Sequence, residues 1–430
     1  MTSTIEPPTE PVPAIGGVPP DVLAERYGTP LYVYDADAIR AAYSRIEAAV
    51  PYRPHRIHYA CVANANLALM RLIGSLGGGI HANTWGDVLM ALHAGFCADD
   101  IMYSGGQLGP EDMFNLFSHG IAANVSSLSQ LRSYSAGLRA FEERTGERAD
   151  ACRLVGLRLH LEDEKPFSRM GVKISEIDEA LAIGASENIE IAGVHYYRGT
   201  GTLTTQHFLR PFETVIDVAR RFADTLRYVD VGGGFGFQYR DGRTAQFDWD
   251  ACGEAFTAML EQLTSELGRS VLLIFEPGRS VVASAGFLLT RVLAVDRRAA
   301  GGQIAGVDTT TSHVSKETYR VYGGYRRIAL VGRSTDERAV MTDVVGCTTF
   351  SDDYIGRAAR HGQQPERGLL LPPLRAGDLL AVLDTGAYGF AFASNFLNRP
   401  RPAEVIVDRG EVRLVRRRET YDDMMRLQTG

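Results

Sequence analysis

Between residues 56 and 282, short apolar runs rich in β-branched residues alternate with longer stretches whose apolar residues recur every three to four positions. The first pattern suits strands buried on both faces and the second suits amphipathic helices, so the alternation predicts a parallel β/α architecture. Eight strands are read, at 56–63, 79–84, 100–105, 122–127, 153–161, 189–198, 228–234 and 271–282. Helices are expected between them at 67–76, 87–94, 110–119, 129–144, 174–187, 206–225 and 252–267. Eight strands with helices between them, over about 250 residues, favour a closed (β/α)8 TIM barrel over an open doubly wound sheet.

After residue 283 the texture changes to short alternating strands, at 288–295, 327–330, 379–383 and 404–407, interrupted by Gly, Pro and Asp. This reads as a separate β-sandwich or β-barrel domain. The run Pro-Leu-Tyr-Val-Tyr at 30–34 is a strand ahead of the barrel, available to pair with that domain. The α/β organisation expected is therefore a disordered tail over 1–24, a barrel over 25–283 and a β domain over 284–430.

Composition adds exclusions. With 430 residues, 45% hydrophobic and 23% charged, the chain has the make-up of a soluble two-domain protein. A net charge of -7 without a long basic run argues against a nucleic-acid groove. No apolar run approaches the ~20 residues of a membrane span, and nothing resembles a signal peptide, so a cytoplasmic protein with small-molecule partners is expected. The five cysteines are scattered without a CxxC pair, which suggests neither a disulfide framework nor a metal site. Only three lysines occur, Lys165, Lys173 and Lys316.

In such barrels chemistry sits at the C-terminal ends of the strands. Those ends present Val62 and Asn64, His81 and Asn83, Ser104 and Gly105, Arg158 and His160, then His195, Tyr197, Arg198 and Thr200, then Gly232, Gly233 and Gly234, and last Glu276, Gly278 and Arg279. Consecutive glycines leave backbone N–H groups unobstructed for an anion, and Glu276-Pro-Gly-Arg279 on the next strand adds a guanidinium. Phosphate is the expected guest. His55, His58, His93, His119 and His361 read as surface or capping histidines, and Arg416-Arg-Arg418 as a solvated strand or interface edge. Trp85 fits either the mouth of the site or the core.

The motifs occur in order across both domains. They are Tyr27-Gly-Thr-Pro-Leu-Tyr-Val-Tyr34, Tyr59-Ala-x-x-Ala-Asn64, His195-x-x-x-Gly-Thr200, the Gly232 triplet, Glu276-Pro-Gly-Arg279, Gly386-Ala-Tyr-Gly389 and Asn398-Arg-Pro-Arg-Pro402. In this the chain resembles the fold-type III decarboxylases that use pyridoxal 5′-phosphate (PLP), the family of diaminopimelate, ornithine and arginine decarboxylases with an alanine racemase-like barrel. The resemblance implies that Gly232, Gly233, Gly234, Gly278, Arg279, Thr200 and Tyr388 serve the cofactor phosphate. It implies that Glu276 faces the pyridine nitrogen, and that a homodimer shares its active sites.

The departures lie on the reacting side. Val62 stands where the resemblance places the Schiff-base lysine, His81 where it places an aspartate, and Tyr197 where it places the imidazole that stacks on the ring. In the β domain Thr349 takes the place of the cysteine that protonates the carbanion, with Cys347 two residues away, while Asp353 is retained. Phe350 replaces an acidic residue, and no arginine for a distal carboxylate precedes Tyr322-Gly-Gly-Tyr325, where Thr318 lies near its place. Three functions follow: a decarboxylase acting on a small amino acid, free or attached to a carrier; a lysine-less homologue that binds PLP non-covalently or takes another phosphorylated or acidic ligand; or a non-catalytic protein that binds a ligand or partner, without PLP.

Overall fold

The computed structural model describes residues 12–161, 169–239, 246–299, 301–314, 326–333, 338–355 and 368–429. Packing divides the chain into a barrel unit, Tyr43–Gly236 with Phe247–Gly278, and a sheet unit of Met1–Ala42, Phe237–Gln246 and Arg279–Gly430. The division passes inside the helix Ala36–Ala48, so the barrel begins later, and ends a little earlier, than the sequence pattern places it.

The leading strand, β1, is Leu31–Asp35. The barrel is then laid down by β2 (His55–Ala60), β3 (Gly79–Ala82), β4 (Ile101–Tyr103), β5 (Ala122–Val125) and β6 (Leu154–His160). A two-residue β7 (Val172–Lys173) leans on β6, and β8 (Glu190–His195), β9 (Tyr228–Asp230) and β10 (Leu272–Phe275) complete the ring. Every neighbouring pair is parallel, and β10 pairs with β2 while β5 pairs with β6, so the eight long strands close. The strands stop one to seven residues short of their expected C-terminal ends. Asn, Gly and Arg at those ends leave the ladder and enter the loops, which is where a barrel keeps its chemistry. The run 271–282 is the clearest case: pairing stops at Phe275, Pro277-Gly278 breaks the strand, and Arg279–Val282 is a helical turn.

The helices follow the amphipathic stretches and are punctuated by local signals. Thr84 and Asp87 form a capping box at the start of Trp85–Ala94, which ends on Gly95 in the left-handed region. Ser127 and Asp248 cap Leu128–Thr145 and Trp249–Leu267. Lys173, expected to begin a helix, instead ends β7 ahead of a 3-10 turn and is exposed.

The sheet unit carries β11 (Gly286–Arg297), β12 (Gln303–Val307), β13 (Ile328–Val331), β14 (Val340–Val345), β15 (Leu369–Leu371), β16 (Leu379–Val382), β17 (Ala403–Asp408) and β18 (Glu411–Arg416). The path runs β15-β14-β12-β11-β1-β17-β18, with β16 joining β11 to β13. The N-terminal strand thus lies inside the sheet, antiparallel to β11 and parallel to β17. The expected disordered tail over 1–24 is corrected for its second half, residues 1–11 lying outside the described residues. Ile15 and Val18 form a bridge, Pro20–Tyr27 is a helix, and Ile15, Leu23 and Ala24 are buried against Leu31, Val33, Leu289 and Val405. A few apolar side chains suffice to anchor a Pro-rich segment when a sheet face waits for them.

Candidate active site

The barrel unit gathers four buried ionisable groups, His81, His195, Asp230 and Glu276, at the C-terminal ends of β3, β8, β9 and β10. Glu276 follows β10 and is buried. One of its oxygens contacts His81 Nδ1 on β3, and the other lies 3.3 Å from His195 Nε2 at the end of β8. The two imidazoles are nearly parallel, with centroids 6.2 Å apart and planes 11° apart. Asp230, wholly buried at the end of β9, accepts the Gly232 amide at 2.8 Å and faces Glu276.

Burial pushes both carboxyls up, and what surrounds each decides the outcome. Glu276 is nevertheless held well below the usual carboxylate range, because the charges and hydrogen bonds of His81 and His195 outweigh its burial. Asp230 is driven well above that range by burial and by the Glu276 charge, so it keeps its proton. Burial lowers His195 in spite of Glu276. His195, Asp230 and Glu276 also offer three ligand atoms within 4.8 Å of one another, a spacing open to a metal ion. The proton on Asp230 already relieves the repulsion between the carboxylates that a cation would otherwise have to relieve.

Tyr228 donates to Asn124 at 2.7 Å and Asn124 to Ser104 at 2.8 Å, which gives these three buried side chains partners inside the barrel. His58 corrects the surface reading: it is buried, and neither ring nitrogen has a hydrogen-bond partner among the described residues. Burial, with Arg56 adding to it, drives its imidazole down to about 3. The unfolded chain takes up this proton near pH 6.5 and the folded one only near 3. The stability tied to His58 is therefore complete above about pH 6.5 and declines as pH falls towards 3, by up to about 1.4 kcal/mol per unit. Urea midpoints taken from pH 8 to 4.5 are expected to fall less steeply for His58→Leu than for the wild type; equal slopes would assign the acid sensitivity elsewhere.

The glycine triplet is fixed by close approach. A Cβ on Gly232 would overlap Tyr196 O, one on Gly233 Glu276 O, and one on Gly234 Gly199 O. Gly232 and Gly234 have φ of 66° and 96°, open to glycine. The Gly233 and Gly234 amides have no protein acceptor among the described residues. Beside them, Tyr197 is exposed, its hydroxyl 2.5 Å from Thr200 Oγ1 and its ring 5.5 Å from the Arg158 guanidinium. Gly278 packs against Ala60 O and Ala63 Cβ, and Val62 sits in the 3-10 turn Cys61–Ala63 at 44% exposure.

In the sheet unit, Arg279 is buried, bonded to Tyr239 Oη at 2.5 Å, with its guanidinium 4.5 Å from the Tyr388 ring. Asp353 is buried and accepts from Thr310 Oγ1, Thr311 N and Thr348 N at 2.8–3.1 Å. Its carboxylate shapes the 346–353 loop, and Thr349 is exposed on that loop. Cys347 is half-buried, its thiol directed to Asp308 O and pushed up by burial. Trp85 is half-buried against His119, 5.2 Å between rings. Arg416 pairs with the buried Glu404, and Arg417 with Asp423 at the surface. Thr318, Tyr322, Tyr325 and His361 lie outside the described residues.

Residues 36–283 match the family model described as pyridoxal-dependent decarboxylase, pyridoxal binding domain. The chain belongs to this family. Among its relatives are the diaminopimelate decarboxylases of Methanothermobacter thermautotrophicus, 34% identical over 96% of this chain and 94% of the relative, and of Pseudomonas fluorescens, 31% identical over 95% and 94%. The solved diaminopimelate decarboxylase of M. jannaschii in co-complex with L-lysine superposes with a TM-score of 0.84 at 25% identity, covering 98% of this chain and 97% of that one. This decarboxylase-family chain is thus of the diaminopimelate decarboxylase type, and the cofactor of its family is PLP.

Tested against that cofactor, the family residues of the barrel fit in part. The glycine loop, which any Cβ would fill, and its two unused amides suit a phosphate, and an ionised buried Glu276 suits a ring nitrogen. The fit fails at the covalent bond. Val62 has no amine, Lys173 lies exposed on β7, and Lys165 and Lys316 lie outside the described residues. Sequence reasoning missed Asp230 as a partner of Glu276 and Tyr239 as a partner of Arg279. Asp230 could have been found from its place before Val-Gly-Gly-Gly, at the end of a barrel strand.

Proposed function

We propose that this decarboxylase-family protein holds PLP without a covalent bond and acts on a small amino acid as a slow carboxy-lyase. The observation that carries the reading is the preserved glycine loop and ionised Glu276 beside an exposed Val62 in the place of the family lysine. When bound, PLP supplies an electron sink for loss of CO2 from an amino acid. The chain's own groups do the holding: Gly233 and Gly234 donate amides and Thr200 a hydroxyl to phosphate, Tyr197 offers a ring for stacking, and Glu276 takes the ring-nitrogen side. Retention of Arg279 and Tyr388, 4.5 Å apart in the sheet unit, supports a phosphorylated ligand.

Without a lysine at position 62 that position offers no amine to exchange with the substrate amine or to drive product release, so turnover falls by orders of magnitude. Loss of the loop cysteine to Thr349 lowers it further, since a threonine hydroxyl is a poor proton donor. These losses equally favour a second reading, a binding protein that retains the ligand site and has given up turnover.

The substrate is proposed to be a small amino acid, free or presented by a carrier, and the relative solved with L-lysine supports the amino-acid class but not the side chain. Phe350 argues against a basic side chain. A homodimer in the cytoplasm completes the proposal. Its support is the exposed edge-to-face pair Phe350 and Phe396, with ring centroids 5.4 Å apart, and the absence among the described residues of a helix long and apolar enough to cross a membrane. Thermal unfolding with and without PLP tests the reading. PLP at about 100 times its dissociation constant is expected to add about 2.7 kcal/mol, and a melting curve indifferent to PLP would leave the site without its ligand.

A further inference from the structure

Glu276 is the group that the proposed function assigns to the ring nitrogen, and the protein already supplies it with partners. His81 Nδ1 contacts one oxygen, and His195 Nε2 lies 3.3 Å from the other. The far nitrogen of His81, Nε2, lies 3.3 Å from Asn83 Oδ1, an acceptor. His81 therefore faces a carboxylate oxygen on one side and an amide oxygen on the other.

A protonated ring nitrogen arriving at Glu276 meets this arrangement as a competitor. It must displace His81 Nδ1 from the carboxylate oxygen that it contacts. The other groups facing Glu276 offer it no relief. Asp230 is protonated by burial and by Glu276 itself, and its second oxygen receives no donor among the described residues. His195 is fixed from β8 on the opposite side of the carboxylate.

We propose that His81 is a specificity-determining residue that takes the place of the ligand's ring nitrogen as the partner of Glu276. The site then accepts a phosphorylated aromatic aldehyde or amine whose ring nitrogen is unprotonated and contributes nothing to binding. This rests on the PLP reading given above and sharpens it. It also offers a second physical reason for slow turnover, since an unprotonated ring is a weaker electron sink.

The test compares the full-length chain's dissociation constants for PLP and for 1-deazapyridoxal 5′-phosphate, in which the ring nitrogen is replaced by CH. The wild type is expected to bind both within about threefold, the scatter of an interaction that is not made. His81→Leu and His81→Ala are expected to bind PLP on the order of 10-fold more tightly, the effect of a hydrogen bond to a charged group, and to leave the deaza analogue unchanged. A wild type that prefers PLP by 10-fold or more overturns the proposal and leaves the PLP site standing. A change in both ligands by the same factor on removing His81 overturns it too, since that marks a merely structural residue. Binding of neither ligand by the wild type removes the PLP reading and the proposal with it. Should both variants fail to fold, the nitrogen-15 shift of labelled PLP bound to the wild type decides. An unprotonated nitrogen is expected, and a protonated one refutes the proposal.

Discussion

Replacing Val62 by lysine is expected to give a protein that keeps PLP through dialysis, shows a visible band reducible by borohydride, and releases CO2 from an amino acid orders of magnitude faster than the wild type. The wild type is expected to lose PLP on dialysis and to leave no reducible band. The ground is the position of Val62. It is 44% exposed in the turn after β2, so four methylenes and an ammonium extend into open space without overpacking a core. An amine there removes the deficit that the described part of the chain cannot make good, Lys173 being exposed on β7. The measurement is an absorption spectrum before and after borohydride, followed by CO2 detection over a panel of small amino acids. A Val62→Lys protein that stays silent in both would mean that His81, Tyr197 and Thr349 belong to a site rebuilt for other chemistry, and the decarboxylase proposal would have to be given up.

The second large effect is expected at Gly234. A Cβ there overlaps Gly199 O, and the backbone sits at φ 96°. Both the strain of the left-handed region and the displaced loop count against alanine, at roughly 3 kcal/mol together. Stabilisation by PLP is expected to vanish as well, because the amides that would face phosphate move with the loop. Gly268 supplies the control, with φ 66° and open space around its Cβ position. Gly268→Ala is expected to cost only the conformational part, about 1 kcal/mol, with PLP stabilisation intact. Chemical denaturation of the two variants, with and without PLP, separates the terms. Equal costs at the two glycines would mean that the loop yields freely and has no role as a cradle.

The barrel was legible because each of its strands is a short apolar run between stretches of helical period, and eight such runs over about 250 residues favour the closed form over an open doubly wound sheet. Strand ends were not legible. Propensity carries on through Val281 and Val282, yet the ladder stops where Pro277 removes a donor and the neighbouring strand ends. The N-terminal segment misled for a related reason: composition averages over residues, whereas Ile15 and Leu23 anchor it individually. His58 was misread because its burial depends on a residue of another strand. Gly79 lies across the β2–β3 pair, and a Cβ there would come within 2.8 Å of the imidazole, so the absence of a side chain at 79 makes the room. At the site, the strand-end rule found Glu276, His81, His195 and the glycines. It could not find that two imidazoles flank one carboxylate while a second carboxyl holds a proton, because that depends on which rings share a layer inside the barrel.

The placement of β1 bears on the order in which the chain can be made. Leu31–Asp35 pairs through Leu31 with Leu289 on one side and Ala403 on the other. The strand therefore leaves the ribosome long before either neighbour exists. The barrel segment can close during synthesis, whereas this strand, buried at four of its five positions in the finished protein, stays an open apolar edge until the last strands arrive. Such edges recruit other chains. A nascent or C-terminally clipped chain lacking β17 is thus the form of this protein most in need of a chaperone, while its barrel is already assembled.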